Sequence, residues 1–283
     1  MQNNNYNTPN YFMPSNKPIF LIAFLCSGLT AMSQNGNEAF FAFREDGSPA
    51  GSLNRAAYFM HRVKENDTTY VCRFYQTTGP MIKCETYKDE NLSIPHGRFA
   101  WYNKTGSLDS TGLVKNAKKD GYWEFRKPDG SMNMSIFFEN GKHVWTRNFT
   151  TNITTYADGR ILDLNSKSYK DSIAAIVDAI ADKKPAEFKG GLKGWSNYIE
   201  KTLQTPGRFS GIAGRGARGR VVVSFTIDTE GRATDMYIDH SVEWSVDMET
   251  IRILKESPRW SPAMQNGKPV IYRHKQSVTF VVS

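Results

Sequence analysis

The stretch Gly219-Arg220-Val221-Val222-Val223-Ser224-Phe225-Thr226-Ile227-Asp228, followed by Thr229-Glu230-Gly231, decides the reading of the last third of the chain. Val221, Val223, Phe225 and Ile227 alternate with Val222, Ser224, Thr226 and Asp228, the period of a strand with one buried face. Asp228 and Gly231 supply the chemistry of a tight turn, so a second strand over Arg232–Ser241 is expected to return antiparallel. Met248, Ile251 and Leu254/Lys255 then follow helical spacing and predict a helix over Ser245–Lys255. After the knuckle Pro258-Arg259-Trp260-Ser261-Pro262, Val278, Phe280 and Val282 share one face of a last strand. No catalytic constellation sits on this scaffold, which reads as a binding module.

The residues 219–228, the Glu230-Gly231 turn, the helix, the Pro258–Pro262 knuckle and Gln265-Asn266-Gly267-Lys268-Pro269-Val270 together resemble the TonB C-terminal domain, in the form found in Bacteroidetes envelope proteins. Upstream, Phe188-Lys189-Gly190-Gly191, a helix over Leu192–Leu203 and Thr205-Pro206 fit the first helix of that family. The resemblance covers Glu187 to Val282, about a third of the chain. It implies a domain that takes up an extended peptide from an outer-membrane transporter on the edge of its last strand. Here that strand is Ile271–Val282, and the residues singled out are Trp260, Pro262, Ser277, Val278, Thr279, Phe280 and Val281.

The chain has 283 residues, 39% hydrophobic and 23% charged, which fits a globular protein of two domains. Lys17 precedes an apolar run, Ile19–Met32, that is shorter than the ~20 residues of a spanning helix. It closes on the small-x-small pattern Ala31-Met32-Ser33. A cleaved secretory signal over residues 1–33 and a periplasmic location are expected, with an uncleaved inner-membrane anchor as the rival. Ala23-Phe24-Leu25 ahead of Cys26 lacks the residues of a lipidation signal. Two cysteines would remain, Cys72 and Cys84, equidistant from Thr78. If Thr77-Thr78-Gly79 is a hairpin loop, the thiols face one another across antiparallel strands, and a disulfide is expected in an oxidising compartment, two ordinary buried thiols being the other reading.

An internal repeat fills the first half. His96-Gly97-Arg98-Phe99-Ala100-Trp101-Tyr102-Asn103-Lys104-Thr105-Gly106-Ser107 aligns at an offset of 24 with Asp120-Gly121-Tyr122-Trp123-Glu124-Phe125-Arg126-Lys127-Pro128-Asp129-Gly130-Ser131. In each copy a Gly opens an aromatic strand and a Gly nine residues later closes a turn. Such units stack hairpins that cannot bury their faces alone, and the pattern resembles MORN-type repeats. Trp101, Tyr102, Trp123 and Phe125 are read first as core and second as a ligand platform.

The expected architecture is α+β. After the signal come an antiparallel MORN-like β-repeat domain over 34–149, a linker with a short helix over 150–186, and a TonB-C-like domain over 187–283 with a three-stranded antiparallel sheet and two helices. The linker helix is expected over Asp171–Ala181, with Ile173, Ile176, Val177 and Ile180 as its apolar stripe. In the next helix Leu192, Trp195, Tyr198, Ile199 and Leu203 share one side.

The net charge is +8, but only Lys201–Arg220 is strongly basic, with Lys201, Arg208, Arg215, Arg218 and Arg220 and no acid. It reads as a solvated loop, or as a contact for an acidic partner or anionic surface. Gly214-Arg-Gly216-Ala-Arg-Gly219 spells the glycines of a dinucleotide site, yet they precede a strand and do not open a helix. No supporting basic face argues for nucleic acid. His61, His96, His143, His240 and His274 lack metal-ligand spacing, although His240 and His274 fall on strands of one sheet. No cofactor, metal or small-molecule substrate is expected. The function read from the chain is a periplasmic partner-binding protein acting by β-strand addition, with self-association as a homodimer left open. A membrane-anchored energy transducer for outer-membrane transport is the alternative; an envelope enzyme would need paired carboxylates that the sequence does not present.

Overall fold

In the computed structural model, which describes residues 33–179 and 183–283, the valine-rich stretch is a strand, Arg218–Ile227, flanked on both sides by antiparallel partners, Ala233–His240 and Tyr272–Val281. Val221, Val223, Phe225, Ile227, Val278 and Phe280 all point to the buried face, as their alternation requires. The turn Asp228–Arg232 works as read. Asp228 N–H donates to the Arg232 carbonyl, Gly231 N–H donates to the Asp228 carbonyl, and Gly231 adopts φ 81°. The helix over this face, Trp244–Lys255, is capped by buried Glu243, whose carboxylate accepts the amides of Ser245 and Val246.

Upstream, the strands form one antiparallel meander of twelve in sequence order. They are β1 (Ser33–Asn35), β2 (Glu38–Phe43), β3 (Tyr58–Asn66), β4 (Thr69–Gln76), β5 (Met81–Tyr87) and β6 (Gly97–Tyr102). The sheet continues with β7 (Leu108–Lys115), β8 (Lys118–Arg126), β9 (Met132–Glu139), β10 (Lys142–Asn148), β11 (Ile153–Tyr156) and β12 (Ile161–Asp163). The sheet therefore runs past residue 149 into the expected linker. The helix after it, α1 (Lys167–Ala179), begins earlier than its apolar stripe suggested. A two-residue strand, β13 (Lys183–Lys184), pairs with β16 (Ala263–Gln265), which pairs with β17 (Lys268–Val270). Two helices, α2 (Gly191–Thr202) and α3 (Gly207–Ala213), precede β14 (Arg218–Ile227); then come β15 (Ala233–His240), α4 (Trp244–Lys255) and β18 (Tyr272–Val281).

The 24-residue repeat is a two-strand unit. The turns Asn103–Ser107 and Lys127–Ser131 close with the same pair of backbone hydrogen bonds, each with its Gly at φ 83°. Arg44–Ser48 and Tyr156–Arg160 use the same turn. Trp123 is buried and Trp101 and Phe125 pack beside it on one face of the sheet, in a cluster drawn from β2–β9 and Leu92. The core reading of these aromatics is the one the packing supports.

Tyr102 faces the other way. Phe59, Tyr75, Met81, Ala100, Tyr102 and Leu108 belong to the same apolar cluster as the buried face of β14 and α4. The repeat sheet and the carboxyl-terminal unit thus share a core, and polar contacts stitch the seam. Tyr75 OH donates to Asp247 Oδ2 at 3.1 Å, Tyr102 OH to the Ile238 carbonyl at 2.8 Å and Met81 N–H to Ser241 Oγ at 2.7 Å. Ser241 N–H donates to the Gly106 carbonyl at 2.8 Å. A Cβ on Gly106 would lie 2.1 Å from the Ser241 carbonyl oxygen, so this glycine serves the seam as well as its turn.

Three expectations need correction. Cys72 and Cys84 are not bonded to each other: the register pairs Cys72 with Glu85 and Arg73 with Cys84. A bulge between Phe74 and Tyr75 adds one residue, Ile82, on β5. That single residue turns the two thiols to opposite faces of the sheet. Second, the basic stretch is not simply a solvated loop, since α3 lies within it and buries Phe209. Arg208 there pairs with Glu243 at 3.1 Å and donates to the Thr77 carbonyl. Third, Leu192 does not join the apolar side of α2 but is 88% exposed, leaving Trp195 buried and Tyr198, Ile199 and Leu203 against the core.

Candidate partner-binding edge

The three-stranded sheet has the order β15-β14-β18, so β18 is an edge strand and β14 is central. One flank of β18 pairs with β14 through ten successive residue pairs without a register shift. At its end, Val282 N–H donates to the Ala217 carbonyl and the Val282 carbonyl accepts Gly216 N–H, so Val282 directs both backbone groups inward. By the alternation of an antiparallel ladder, Arg273, Lys275, Ser277, Thr279 and Val281 direct theirs outward. Two outward carbonyls find side-chain donors. The Val281 carbonyl accepts Thr205 Oγ1 at 3.4 Å and the Ser277 carbonyl accepts Gln276 Nε2 at 3.2 Å. Among the described residues no strand lies on this side, and the backbone is open to pairing.

The same alternation sorts the side chains. Val278 and Phe280 enter the core, while Thr279 and Val281 are exposed and Ser277 half-buried. Arg273 and Lys275 turn their side chains away from the open flank. Lys275 Nζ reaches Asp239 at 2.6 Å, and Arg273 reaches Glu124 of the repeat sheet at 3.4 Å.

Trp260 stands elsewhere in role. It is 4% exposed and packs against Phe188, Trp195, Phe225 and His274, with ring centroids 5.0–5.8 Å apart. Its backbone N–H donates to the Gly231 carbonyl, tying the knuckle to the hairpin turn. This removes its side chain from any docking surface. Pro262 is half-buried and immediately precedes β16.

The histidines do not converge. β14 separates His240 on β15 from His274 on β18. His240 Nδ1 meets Ser107 Oγ at 3.1 Å, and the His274 ring lies between Phe225 and Trp260. His61, buried in the seam, meets Glu38 through Nε2 at 3.2 Å and accepts Trp244 Nε1–H on Nδ1 at 3.0 Å. Burial first, and then Arg73, depress its pKa to about 4, so it is neutral at neutral pH. Among the described residues no group of His, Cys, Asp and Glu has the arrangement of a metal site.

The seam was not legible from the sequence. Its central acid, Asp247, lies one turn into α4 and is fully buried, accepting Tyr75 OH, Ser241 Oγ and Val242 N–H. Burial drives its pKa up to about 7. An acid in the first turn of an amphipathic helix ordinarily serves the helix dipole, which is the role the sequence alone would assign.

No helix among the described residues is long and apolar enough to cross a membrane, and the apolar run Ile19–Met32 with its expected cleavage site lies outside them. A search of curated proteins finds no match. Residues 213–282, a quarter of the chain, match the family model of the Gram-negative bacterial TonB protein C-terminal. That family is a non-enzymatic protein-interaction domain of the envelope, engaging outer-membrane proteins. The segment that carries β14, β15, α4 and β18 is therefore similar to the TonB C-terminal domain, as its sequence led one to expect.

Proposed function

We propose that the protein works in the periplasm as a partner-binding protein, taking an extended peptide from an outer-membrane transporter or another envelope protein onto the outer edge of β18. The observation that carries this reading is the row of outward backbone groups at Arg273, Lys275, Ser277 and Thr279, beside which no strand lies among the described residues. A peptide strand would satisfy those groups and place alternate side chains over exposed Thr279 and Val281. The expected export with cleavage after Ser33 would deliver the chain to that compartment.

The anchored energy-transducer reading needs the apolar run to be retained and a spacer to carry the domain toward the outer membrane. The seam favours the first reading, because the TonB-like domain is seated on the repeat sheet through Tyr75, Tyr102, Asp247 and Ser241. The amino-terminal residue of protein isolated from cells separates the two: Gln34 supports export, whereas Met1 or Met13 on an inner-membrane protein revives the transducer. Strand addition itself is tested by amide hydrogen exchange with and without an excess of transporter-derived peptide. Protection must appear at Lys275, Ser277 and Thr279; unchanged exchange there with a bound peptide would place the site elsewhere.

A further inference from the structure

Between β4–β6 of the repeat sheet and β15 and α4 of the carboxyl-terminal unit lies a cavity of about 360 Å³. A second, of about 230 Å³, adjoins it and shares Glu65, Arg73, Ile251 and Lys255. Volumes of this order suit small organic ligands. The walls are largely apolar, with Met81, Ala100, Ile238 and Ile251 prominent, and the ion pairs Arg98–Asp235 at 2.6 Å and Lys255–Glu65 at 2.6 Å cross from one unit to the other at its border.

Arg73 is the unsettled group. It is 7% exposed, lines both cavities and stands directly opposite Cys84 in the β4–β5 ladder, so both side chains share the cavity face. A guanidinium carries five donors. Among the described residues its one polar contact is Glu65 Oε1 at 3.6 Å, too long for a hydrogen bond, and Lys255 holds the other oxygen of that carboxylate at 2.6 Å. One carboxylate thus serves two cations, and the guanidinium lines the cavity with donors to spare. A carboxylate entering the cavity could take up those donors in the two-pronged geometry that suits a guanidinium.

We infer that this cavity is a binding site for a small organic monocarboxylate, its carboxylate held by Arg73 and its apolar body seated against Met81, Ile238 and Ile251. The inference stands apart from strand addition on β18: the edge and the cavity are different surfaces.

Cys84 supplies the readout. Its thiolate displaces iodide from iodoacetate or from iodoacetamide, and the two reagents differ in carrying or lacking a carboxylate. The apolar surroundings push the Cys84 thiol up, which slows both reagents alike and leaves their ratio intact. Peptide mass spectrometry of the full-length protein gives the iodoacetate to iodoacetamide rate ratio at Cys84. It should exceed the ratio in urea-unfolded protein by about tenfold or more, as a nearby unscreened cation dictates. Arg73→Met should return it to the unfolded value, and Arg73→Lys should retain part of the preference. Benzoate should protect Cys84 and raise the Tm of the wild-type protein, while benzamide should do neither. These wild-type measurements decide the matter even if Arg73→Met fails to fold. A ratio equal to that of unfolded protein, or a Tm that ignores benzoate, overturns the proposal, and so does a preference that survives in a folded Arg73→Met.

Discussion

If the repeat sheet and the TonB-like unit share one core, a substitution confined to the sheet must destabilise both. Tyr75→Phe is the sharpest such change. Tyr75 is fully buried on β4, stacks on Phe59 at 5.7 Å and gives its hydroxyl proton to Asp247 Oδ2 at 3.1 Å. Phenylalanine keeps the ring and its packing, so only the hydrogen bond is lost. At pH 8 Asp247, with its pKa near 7, is largely ionised. A hydrogen bond to a buried charged group is worth about 1.5–3 kcal/mol, and Asp247 would keep only the Ser241 and Val242 donors. A loss of ~2 kcal/mol, with a urea m-value of about 3 kcal/mol/M, lowers the midpoint by ~0.7 M. Hydrogen-exchange mass spectrometry across a urea series reads peptides from β4–β8 and from β14–α4 separately. Both sets should unfold at one midpoint in the wild type and move together in the variant. Separate midpoints, or a shift limited to the sheet peptides, would refute a common core.

The two perturbed seam groups predict a pH profile. His61 resists a proton that the unfolded chain accepts between about 6.5 and about 4, so its contribution to stability falls on acidification. Asp247 holds a proton that the unfolded chain releases between about 3.8 and about 7, so its contribution falls as pH rises. The two oppose each other from pH 4 to 6.5, and Asp247→Asn should expose the His61 limb as a stability slope approaching ~1.4 kcal/mol per pH unit, measured by chemical denaturation. A slope no steeper than the wild type's would contradict it. Gly231→Ala should cost about 3 kcal/mol or more, because φ is 81° and the new Cβ would lie 2.1 Å from the Trp260 carbonyl oxygen. Gly130→Ala, at φ 83° with nothing within 4 Å, should cost only ~1–2 kcal/mol by the same denaturation assay. Non-reducing peptide mapping should recover Cys72 and Cys84 on separate peptides; a linked pair would mean that the β4–β5 register is wrong.

The carboxyl-terminal sheet was legible because its signals are local. Alternation at Val221–Ile227 fixes a buried face, and Asp228 with Gly231 fixes the hairpin. The repeat was legible for the same reason, Gly106 and Gly130 marking equivalent turns. What failed was whatever depends on a single residue of register or on a distant neighbour. Equidistance from Thr78 assumed an unbroken ladder, and Ile82 breaks it. Arg208, read as part of a solvated basic loop, is anchored by Glu243 from a segment thirty-five residues on. Trp260, singled out by its family motif, is conspicuous in sequence because it fills a core among four rings. The seam escaped altogether, since Tyr75 and Asp247 lie 172 residues apart and neither is unusual in its own element.

The outward backbone of β18 is the central claim, and proline tests it most directly because it deletes the N–H that a ladder needs. Thr279 is exposed and directs its N–H away from β14, whereas Thr226 on β14 lies between Thr234 and Arg273 of its two neighbours. Peptide binding and thermal unfolding of Thr279→Pro and Thr226→Pro should therefore diverge. Thr279→Pro should stay folded and lose affinity for transporter-derived peptide, while Thr226→Pro should unfold the domain. A folded Thr279→Pro that binds peptide as the wild type does would contradict strand addition on this edge.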